Sequence, residues 1–309
     1  MHDETKRARS GSSEDLARVY SERAKLESLA YRLLGTVSDA EDAVQETYLR
    51  WYKLSRAERE QILVPMAWQR TTLTRVCFDK LKSAQTRRET YVGEWLPEPV
   101  TQDEYESSLG AIPEGGDPAD RLMLAHSVSM ALMVVLDKMT PAERVSFILH
   151  DVFQYSFDEI SEVVGRTPQA CRQLASSGRK RIGQERSLHA SPAEHAHVNA
   201  AFRAAWTTGN IADLAAVLDE RARAVTDGGG RVSASIEPLC GREAVIEFFL
   251  SAFQRQRDLR IEEVLVNGEP GLVGKAADRT VAVISTHVRE GRISDIWVMR
   301  NPEKLSVWH

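Results

Sequence analysis

Apolar residues in the first ninety positions recur at three- and four-residue spacings, the signature of helices with one buried face. Leu16, Val19 and Tyr20 lead into Leu26, Leu29, Ala30, Leu33 and Leu34, and Gly35 then offers a helix stop. A second stripe restarts in "SDAEDAVQETYLRWYKL" with Ala40, Ala43, Val44, Tyr48 and Trp51, reaching toward Leu54. Ser38 or Asp39 can cap this helix, with Glu41 three residues after Ser38 as in a capping box. A third helix is expected from about Pro65 to Arg88, because proline suits a first helical turn.

The periodicity stops at residues 92–120, which hold four prolines and eight acids without one basic residue. That composition predicts a linker. Yet Trp95 and Leu96 are apolar residues that a pure spacer does not need, so this part is expected to dock. Helical spacing returns over 121–186. Thr140, Pro141 and Glu143 predict one helix start, and Ser156 with Glu159 predicts a second that ends at Gly165. "RTPQACRQLASSGRKRI" then starts a basic helix, which makes a helix-turn-helix pattern. A short linker is expected at 187–195.

From residue 196 the pattern alternates between helical and two-residue periods. Helices are expected around 197–220, with a break at Gly209-Asn210, and again in "GREAVIEFFLSAFQRQR". Strands are expected in "RARAVTD", "VSASI", "IEEVLVN", "TVAVISTHV" and "RISDIWVM", the last two joined by a turn at Glu290-Gly291. The fold class is therefore multi-domain: a polar tail (1–15), an all-α unit (16–91), a linker (92–120), a second all-α unit (121–186) and an α+β domain (196–309) with a mainly antiparallel sheet.

Composition alters this picture little. The chain has 309 residues, 42% of them hydrophobic, 28% charged, with a net charge of −5. Its longest strongly apolar run, "MALMVVL" at 130–136, is far short of the ~20 residues a membrane-spanning helix needs. The N-terminus has no apolar signal core, and Cys77, Cys171 and Cys240 are isolated, so a reducing cytoplasm is the expected location. His195 and His197 lack ligand neighbours and read as linker or helix-start residues, and no metal or cofactor is expected. Local charge is more informative. Residues 66–88 and 166–186 each carry six basic side chains against one acid, which suggests two nucleic-acid contacts on one chain.

Three segments carry candidate chemistry. Asp39, Asp42, Gln45, Glu46 and Leu49 share a helix face, which composition alone would make a solvated acidic surface. In "PMAWQRTTLTRVCFDKLKSAQTRR", two roles are open to Trp68: a core residue beside Met66 and Ala67, or a stacking platform for an unpaired base. In the basic helix, Cys171, Leu174, Gly178 and Ile182 are expected to face inward. Gln169, Arg172, Gln173 and Ser176 then face outward, where Arg172 can read guanine and Gln173 adenine. Arg179, Lys180 and Arg181 suit phosphates.

The string "AYRLLGTVSDAEDAVQETYLRWY" closely resembles region 2.1–2.2 of the extracytoplasmic-function (ECF) sigma factors of bacterial RNA polymerase. The resemblance implies that Asp39, Asp42, Gln45, Glu46 and Leu49 meet the coiled coil of the polymerase β′ subunit, with the β flap as a further partner. The next basic segment then corresponds to regions 2.3–2.4, where Arg75 aligns with the position that meets the flipped −10 base. Trp68, Arg70, Thr71, Thr74, Lys80, Lys82, Arg87 and Arg88 would support it. "RTPQACRQLASSGRKRI" corresponds to region 4.2, so Thr167, Gln169, Arg172, Gln173, Ser176, Arg179 and Lys180 are implied −35 contacts. By the same resemblance the acidic linker threads the polymerase channels.

"YVGEWLPEPV", "DGGG", "VNGEPGLV" and "NPEKL" together resemble the ECF subgroup carrying a fused C-terminal SnoaL-like domain of the NTF2-like fold, which regulates the sigma factor in cis. The triple glycine of "TDGGGR" lacks the Lys-Ser/Thr pair of a phosphate loop and is expected to connect two antiparallel strands. Trp95, Leu96, Pro97, Asp227, Gly228, Gly229, Gly230, Asn301, Pro302, Lys304 and Leu305 form the expected regulatory contact. SnoaL-like domains also include cyclases and isomerases. A site of that kind would draw on Asp227, His287, Asp295 and Trp297, although pairing Thr286 with Asp295 and His287 with Ser294 sends the acid and the histidine to opposite faces. A small-molecule sensor cavity is a further reading of the same domain.

Overall fold

The computed structural model describes residues 23–88, 91–109, 128–186, 190–256 and 258–308. The expected N-terminal tail, the stripe at Leu16, Val19 and Tyr20, residues 110–127 of the linker and the side chains of Arg87 and Arg88 lie outside the described residues.

Helices α1 (23–34), α2 (Val37–Lys53), α3 (Arg56–Gln61) and α4 (Pro65–Arg88) form the first unit. Residues 91–101 run extended, and a short helix α5 (Gln102–Glu104) continues into a wider π-type turn, Tyr105–Leu109. The second unit holds α6 (Met130–Asp137), α7 (Pro141–Phe147, continuing as a π-turn over Ile148–Val152), α8 (Phe157–Val164) and α9 (Pro168–Arg186). Two of the expected capping boxes are present, Thr140 with Glu143 and Ser156 with Glu159. Gly165 closes α8 in the left-handed conformation, at φ 69°.

One start differs from expectation. Helix α2 is capped by Thr36, whose hydroxyl accepts from Asp39 N, and Ser38 lies inside the helix. The Val37 N–H is satisfied from a distance, donating to the Glu98 carboxylate at 2.8 Å. That removes the need for a local cap one residue later.

The two helical units share one hydrophobic core. Leu26, Leu29, Tyr31 and Leu73 of the first pack into the same cluster as Met133, Val145, Ile148 and Cys171 of the second. At their junction the fully buried Arg144 guanidinium donates twice to the Arg32 carbonyl, at 3.2 and 3.1 Å. Burial also lowers the Arg32 pKa to about 10.

The C-terminal unit is the expected α+β type. Helices α10 (Pro192–Thr208), α11 (Ile211–Val217) and α12 (Arg242–Arg255) cover the concave face of one six-stranded sheet. Its strands are β1 (Leu218–Asp227), β2 (Leu239–Cys240), β3 (Arg260–Val266), β4 (Glu269–Ala276), β5 (Arg279–Arg289) and β6 (Arg292–Met299), in the order β2-β1-β6-β5-β4-β3. All neighbours are antiparallel except β1 and β6, which run parallel. β1 begins three residues earlier than expected, and "EPGLVGKA" supplies β4, which alternation alone did not reveal. The expected strand "VSASI" is irregular loop.

Candidate functional site

The convex face of the sheet is covered by the rest of the chain. Val283, Trp297 and Met299 on that face pack with Leu96 of the linker, Met130 and Ala131 of α6, and Leu305 and Trp308. The linker is therefore held between the first helical unit and the C-terminal domain.

Its backbone explains why the sequence alternates. In "LPEPV", Pro97 and Pro99 have no N–H, and each remaining N–H has a partner. Leu96 N donates to Asp227 Oδ2 at 2.9 Å, Glu98 N to the Gly35 carbonyl at 2.8 Å, and Val100 N to Asn267 Oδ1 at 3.1 Å. Four of the five carbonyls accept bonds as well. Leu96 O accepts from Lys304 Nζ at 2.5 Å, Glu98 O from the Tyr31 hydroxyl at 2.8 Å, Pro99 O from Trp308 Nε1 at 3.0 Å, and Val100 O from Asn267 N at 3.0 Å. Residues 96–100, all buried, thus behave like a strand held by other elements.

Asp227 is the centre of this contact. Fully buried at the end of β1, it accepts from the Tyr91 hydroxyl at 2.6 Å, Leu96 N at 2.9 Å, Gly229 N at 3.0 Å and Lys304 Nζ at 2.7 Å. The Lys304 ammonium also lies over the Trp95 ring, 4.1 Å from its centroid. Burial and the neighbouring Asp227 carboxylate push the Tyr91 hydroxyl pKa upward, keeping it a neutral donor. Asn301 caps the short 3-10 turn Pro302–Lys304 and donates to the Tyr91 oxygen at 3.0 Å.

The glycines are explained here. Gly229 has φ +62°, and a Cβ there would sit 2.5 Å from the Asn301 side chain. Gly230, at φ +68°, faces Val92, while a Cβ on Gly228 would sit 2.5 Å from the Val232 carbonyl. The structure brings "WLPEP", "TDGGG" and "NPEKL" together at one place.

Several participants were not singled out from the sequence. Tyr91 and Glu98 lie in the quoted linker string but drew no role. Asn267 forms, with Gly268, the positive-φ turn between β3 and β4 (φ 56° and 77°), and its amide donates to the Tyr31 hydroxyl and the Val128 carbonyl. An Asn-Gly pair between strand patterns is the signal that could have found both this hairpin and β4.

The two basic helices keep much of the expected geometry. On α2, Asp42, Gln45 and Leu49 are exposed and Asp39 and Glu46 half-buried. Glu46 pairs with Arg50 at 2.5 Å. Lys80, expected at DNA, instead lies half-buried within 4 Å of both Asp39 and Asp42. Thr74 is corrected outright. It is fully buried, and its hydroxyl returns to the Arg70 carbonyl at 2.8 Å, the usual recourse of a mid-helix threonine.

Arg75 is exposed, and Lys82 is exposed over the Phe78 ring, while Arg70 and Thr71 are half-buried. Trp68 sits between the two roles open to it, half-buried with its ring centroid 5.2 Å from that of Trp51. Beside this pair Tyr52, Leu63 and Val64 are exposed.

On α9, Gln169, Arg172, Gln173, Ser176, Arg179 and Lys180 share the exposed face; Cys171, Gly178 and Ile182 are buried, and Leu174 half-buried. Thr167 is the cap, accepting from Ala170 N. Arg172 rests over the Phe157 ring at 5.1 Å, and Arg179 is paired with Asp151 at 2.9 Å.

The concave side of the sheet encloses a cavity of about 610 Å³. None of the four candidate enzyme residues lines it. Alternation sends Ile284, Ile296 and Val298 inward, whereas Val225, Asp227, Asp295 and Trp297 share the opposite face with His287. The expected register holds at the hairpin tip, where Val288 opposes Ile293 and Arg289 opposes Arg292. A bulge at Ser294 then shifts it by one, so that His287 opposes Asp295 on the convex face. His195, expected as a linker or helix-start residue, is buried in α10 with Nε2 2.9 Å from Thr286 Oγ1, and burial lowers its pKa.

A family description of sigma-70 region 2 matches residues 19–87, and one of sigma-70 region 4 matches residues 129–182. The chain is 36% identical over 296 residues to the ECF RNA polymerase sigma factor SigJ of Mycobacterium tuberculosis, covering 92% of this chain and 91% of that protein. It is 34% identical over 263 residues to the probable ECF RNA polymerase sigma factor SigI of the same organism, covering 78% and 86%. The crystal structure of Mycobacterium tuberculosis SigJ is similar with a TM-score of 0.72 at 33% identity, covering 94% of this chain and 98% of that one.

Proposed function

Since the chain belongs to the ECF sigma factors of bacterial RNA polymerase, we propose that its SnoaL-like domain regulates it in cis by holding the linker and thereby keeping regions 2 and 4 packed together. A sigma factor of this type binds core polymerase and directs initiation at promoters. Elements centred at −10 and −35 lie about 25 base pairs apart, roughly 85 Å of B-form DNA at ~3.4 Å per base pair. A compact chain of this length has a radius of gyration near 19 Å. With regions 2 and 4 sharing one core, the closed molecule cannot reach both elements, so the units have to separate.

The observation that carries this reading is the double attachment of residues 96–100: Glu98 to the start of α2 and to Gly35, and Leu96 and Pro99 to Asp227, Lys304 and Trp308. Opening regions 2 and 4 means moving this segment. The linker's path through the polymerase channels belongs to the open form.

In that form Asp39, Asp42, Gln45, Glu46 and Leu49 engage the β′ coiled coil. Arg75 with Trp68, Arg70, Thr71, Lys82, Arg87 and Arg88 serves the −10 element. Arg172 and Gln173, with Gln169, Ser176, Arg179 and Lys180, serve the −35 element. The domain works by binding, without catalysis. Among the described residues its cavity lining offers no histidine or cysteine, and its single carboxylate, Asp258, is at the exposed rim.

Run-off transcription with core polymerase tests the proposal. Removing residues 196–309 is expected to change output at a promoter selected with the full chain. Equal output from both forms would remove the regulatory claim, and no promoter-dependent output from either would remove the sigma assignment.

A further inference from the structure

The concave cavity is apolar in its depth and cationic at its mouth. Trp206, Phe248, Phe249, Leu259, Ile284 and Val298 wall the interior. Arg255 and Arg300 stand at the rim with Asp258. Among the described residues the Arg255 guanidinium bonds to its own helix, at Ser251 O (3.0 Å) and Ser251 Oγ (2.7 Å), and that of Arg300 donates to the Ser233 carbonyl. Among the described residues neither arginine has a carboxylate within ion-pair distance. Burial, and then the positive charge of Arg255, lower the pKa of Arg300. Two guanidiniums at the mouth of an aromatic pocket, with no carboxylate in ion-pair range among the described residues, is an arrangement that an anion relieves.

We propose that this cavity is a sensor pocket for a small amphipathic anion, with an aromatic body lodged against Trp206, Phe248 and Phe249 and one carboxylate or phosphate head held by Arg255 and Arg300. The volume suits such a molecule, since pockets of about 300–1,000 Å³ take drug-sized ligands.

The pocket shares its wall with the linker contact, and in this respect the proposal rests on the cis-regulatory reading above. Successive residues of β1 point to opposite faces. Thr226 exchanges hydrogen bonds with Ser235 of the cavity wall, at 2.8 and 3.1 Å, while Asp227 grips the linker. Arg300 N donates to the Asp227 carbonyl at 2.7 Å. The loop 228–236 therefore touches the cavity at Ser233–Ser235 and the linker at Gly230, against Val92. A ligand head that draws the Arg300 guanidinium from the Ser233 carbonyl frees this loop, and linkage requires such a ligand to favour the open form.

The test is isothermal titration of the full chain with indole-3-acetate and phenyl phosphate, each beside a neutral counterpart, indole-3-acetamide and phenol. The expected result is saturable binding of at least one anion, tenfold or more over its neutral counterpart, with the two anions distinguishing a carboxylate from a phosphate head. Arg255→Gln should weaken it at least tenfold, and Ala252→Trp, which fills the cavity wall, should abolish it, in variants that retain the wild-type melting profile. Absence of binding by both anions, equal binding of acid and neutral pairs, or unchanged affinity in Arg255→Gln would overturn the proposal. Binding is read here without polymerase. Its failure would leave the linker contact intact, and its success in a chain indifferent to Asp227 substitution would leave a pocket without regulatory output.

Discussion

Replacing Asp227 with alanine tests the closed state most directly. In an open form the carboxylate keeps its bonds to Lys304 and Gly229, because all three belong to the C-terminal domain. Only the bonds to Tyr91, at 2.6 Å, and Leu96 N, at 2.9 Å, distinguish closed from open. Hydrogen bonds to a charged group are worth about 1.5–3 kcal/mol each. The low end suits a contact whose Tyr91 side is half-buried, which gives about 3 kcal/mol for the pair. At ~1.4 kcal/mol per decade, the closed-to-open ratio falls about a hundredfold. Where the competent state is rare, apparent affinity for the polymerase rises by the same factor. The assay is run-off transcription titrated with the factor, and the expected outcome is half-maximal output at a concentration lower by ten- to a hundredfold. Because Asp227→Ala removes the carboxylate partner of the buried Lys304 ammonium, Tyr91→Phe serves as the milder variant, losing the bond to Asp227 and the one from Asn301 and shifting the midpoint at least about tenfold. Both are checked by circular dichroism. If both are folded and both titrate like the parent chain, Asp227 does not restrain the factor.

Glu98 adds a pH dependence. Burial raises its carboxyl pKa to about 7, partly offset by the Val37 N–H, whereas in an undocked linker it returns to the ordinary value. The docked form therefore holds a proton that the undocked form releases. Docking is strongest below about pH 4.5 and weakens as pH rises through 7, by up to about 3 kcal/mol; limited proteolysis of the linker between pH 5.5 and 8 should follow this, and Glu98→Gln should flatten the profile. Gly229→Val places a branched side chain at φ +62° with its Cβ 2.5 Å from Asn301, so linker protection should be lost while the melting of regions 2 and 4 changes little; wild-type protection would refute the packing argument. Arg172→Ala should weaken −35 recognition by ~1–3 kcal/mol and relax the base preference there, whereas an unchanged −35 footprint would reassign the recognition face.

The features legible in the sequence are those governed by interactions three or four residues apart. The caps at Thr140 and Ser156, the stop at Gly165, the exposed row from Gln169 to Lys180 and the buried Cys171 follow from helical period and local hydrogen bonding alone. The glycine run, the prolines of "WLPEP" and the apolar Leu96 marked segments held in special conformations. The same local logic failed where a partner came from far along the chain. Thr36 caps α2 because Glu98, 61 residues beyond Val37, satisfies the Val37 N–H. Thr74 is buried in the folded chain, and Lys80 is drawn back to Asp39 and Asp42. The face occupied by Asp295 depends on one bulged residue, Ser294, and a shift of one residue in a period of two exchanges core for surface. Tertiary structure alone decided that Asp227 faces the linker while its neighbour Thr226 faces the cavity wall. A carboxylate with four donors, drawn from residues 91, 96, 229 and 304, has no signature in any short window, because it exists only once the strand, the linker and the C-terminal turn converge.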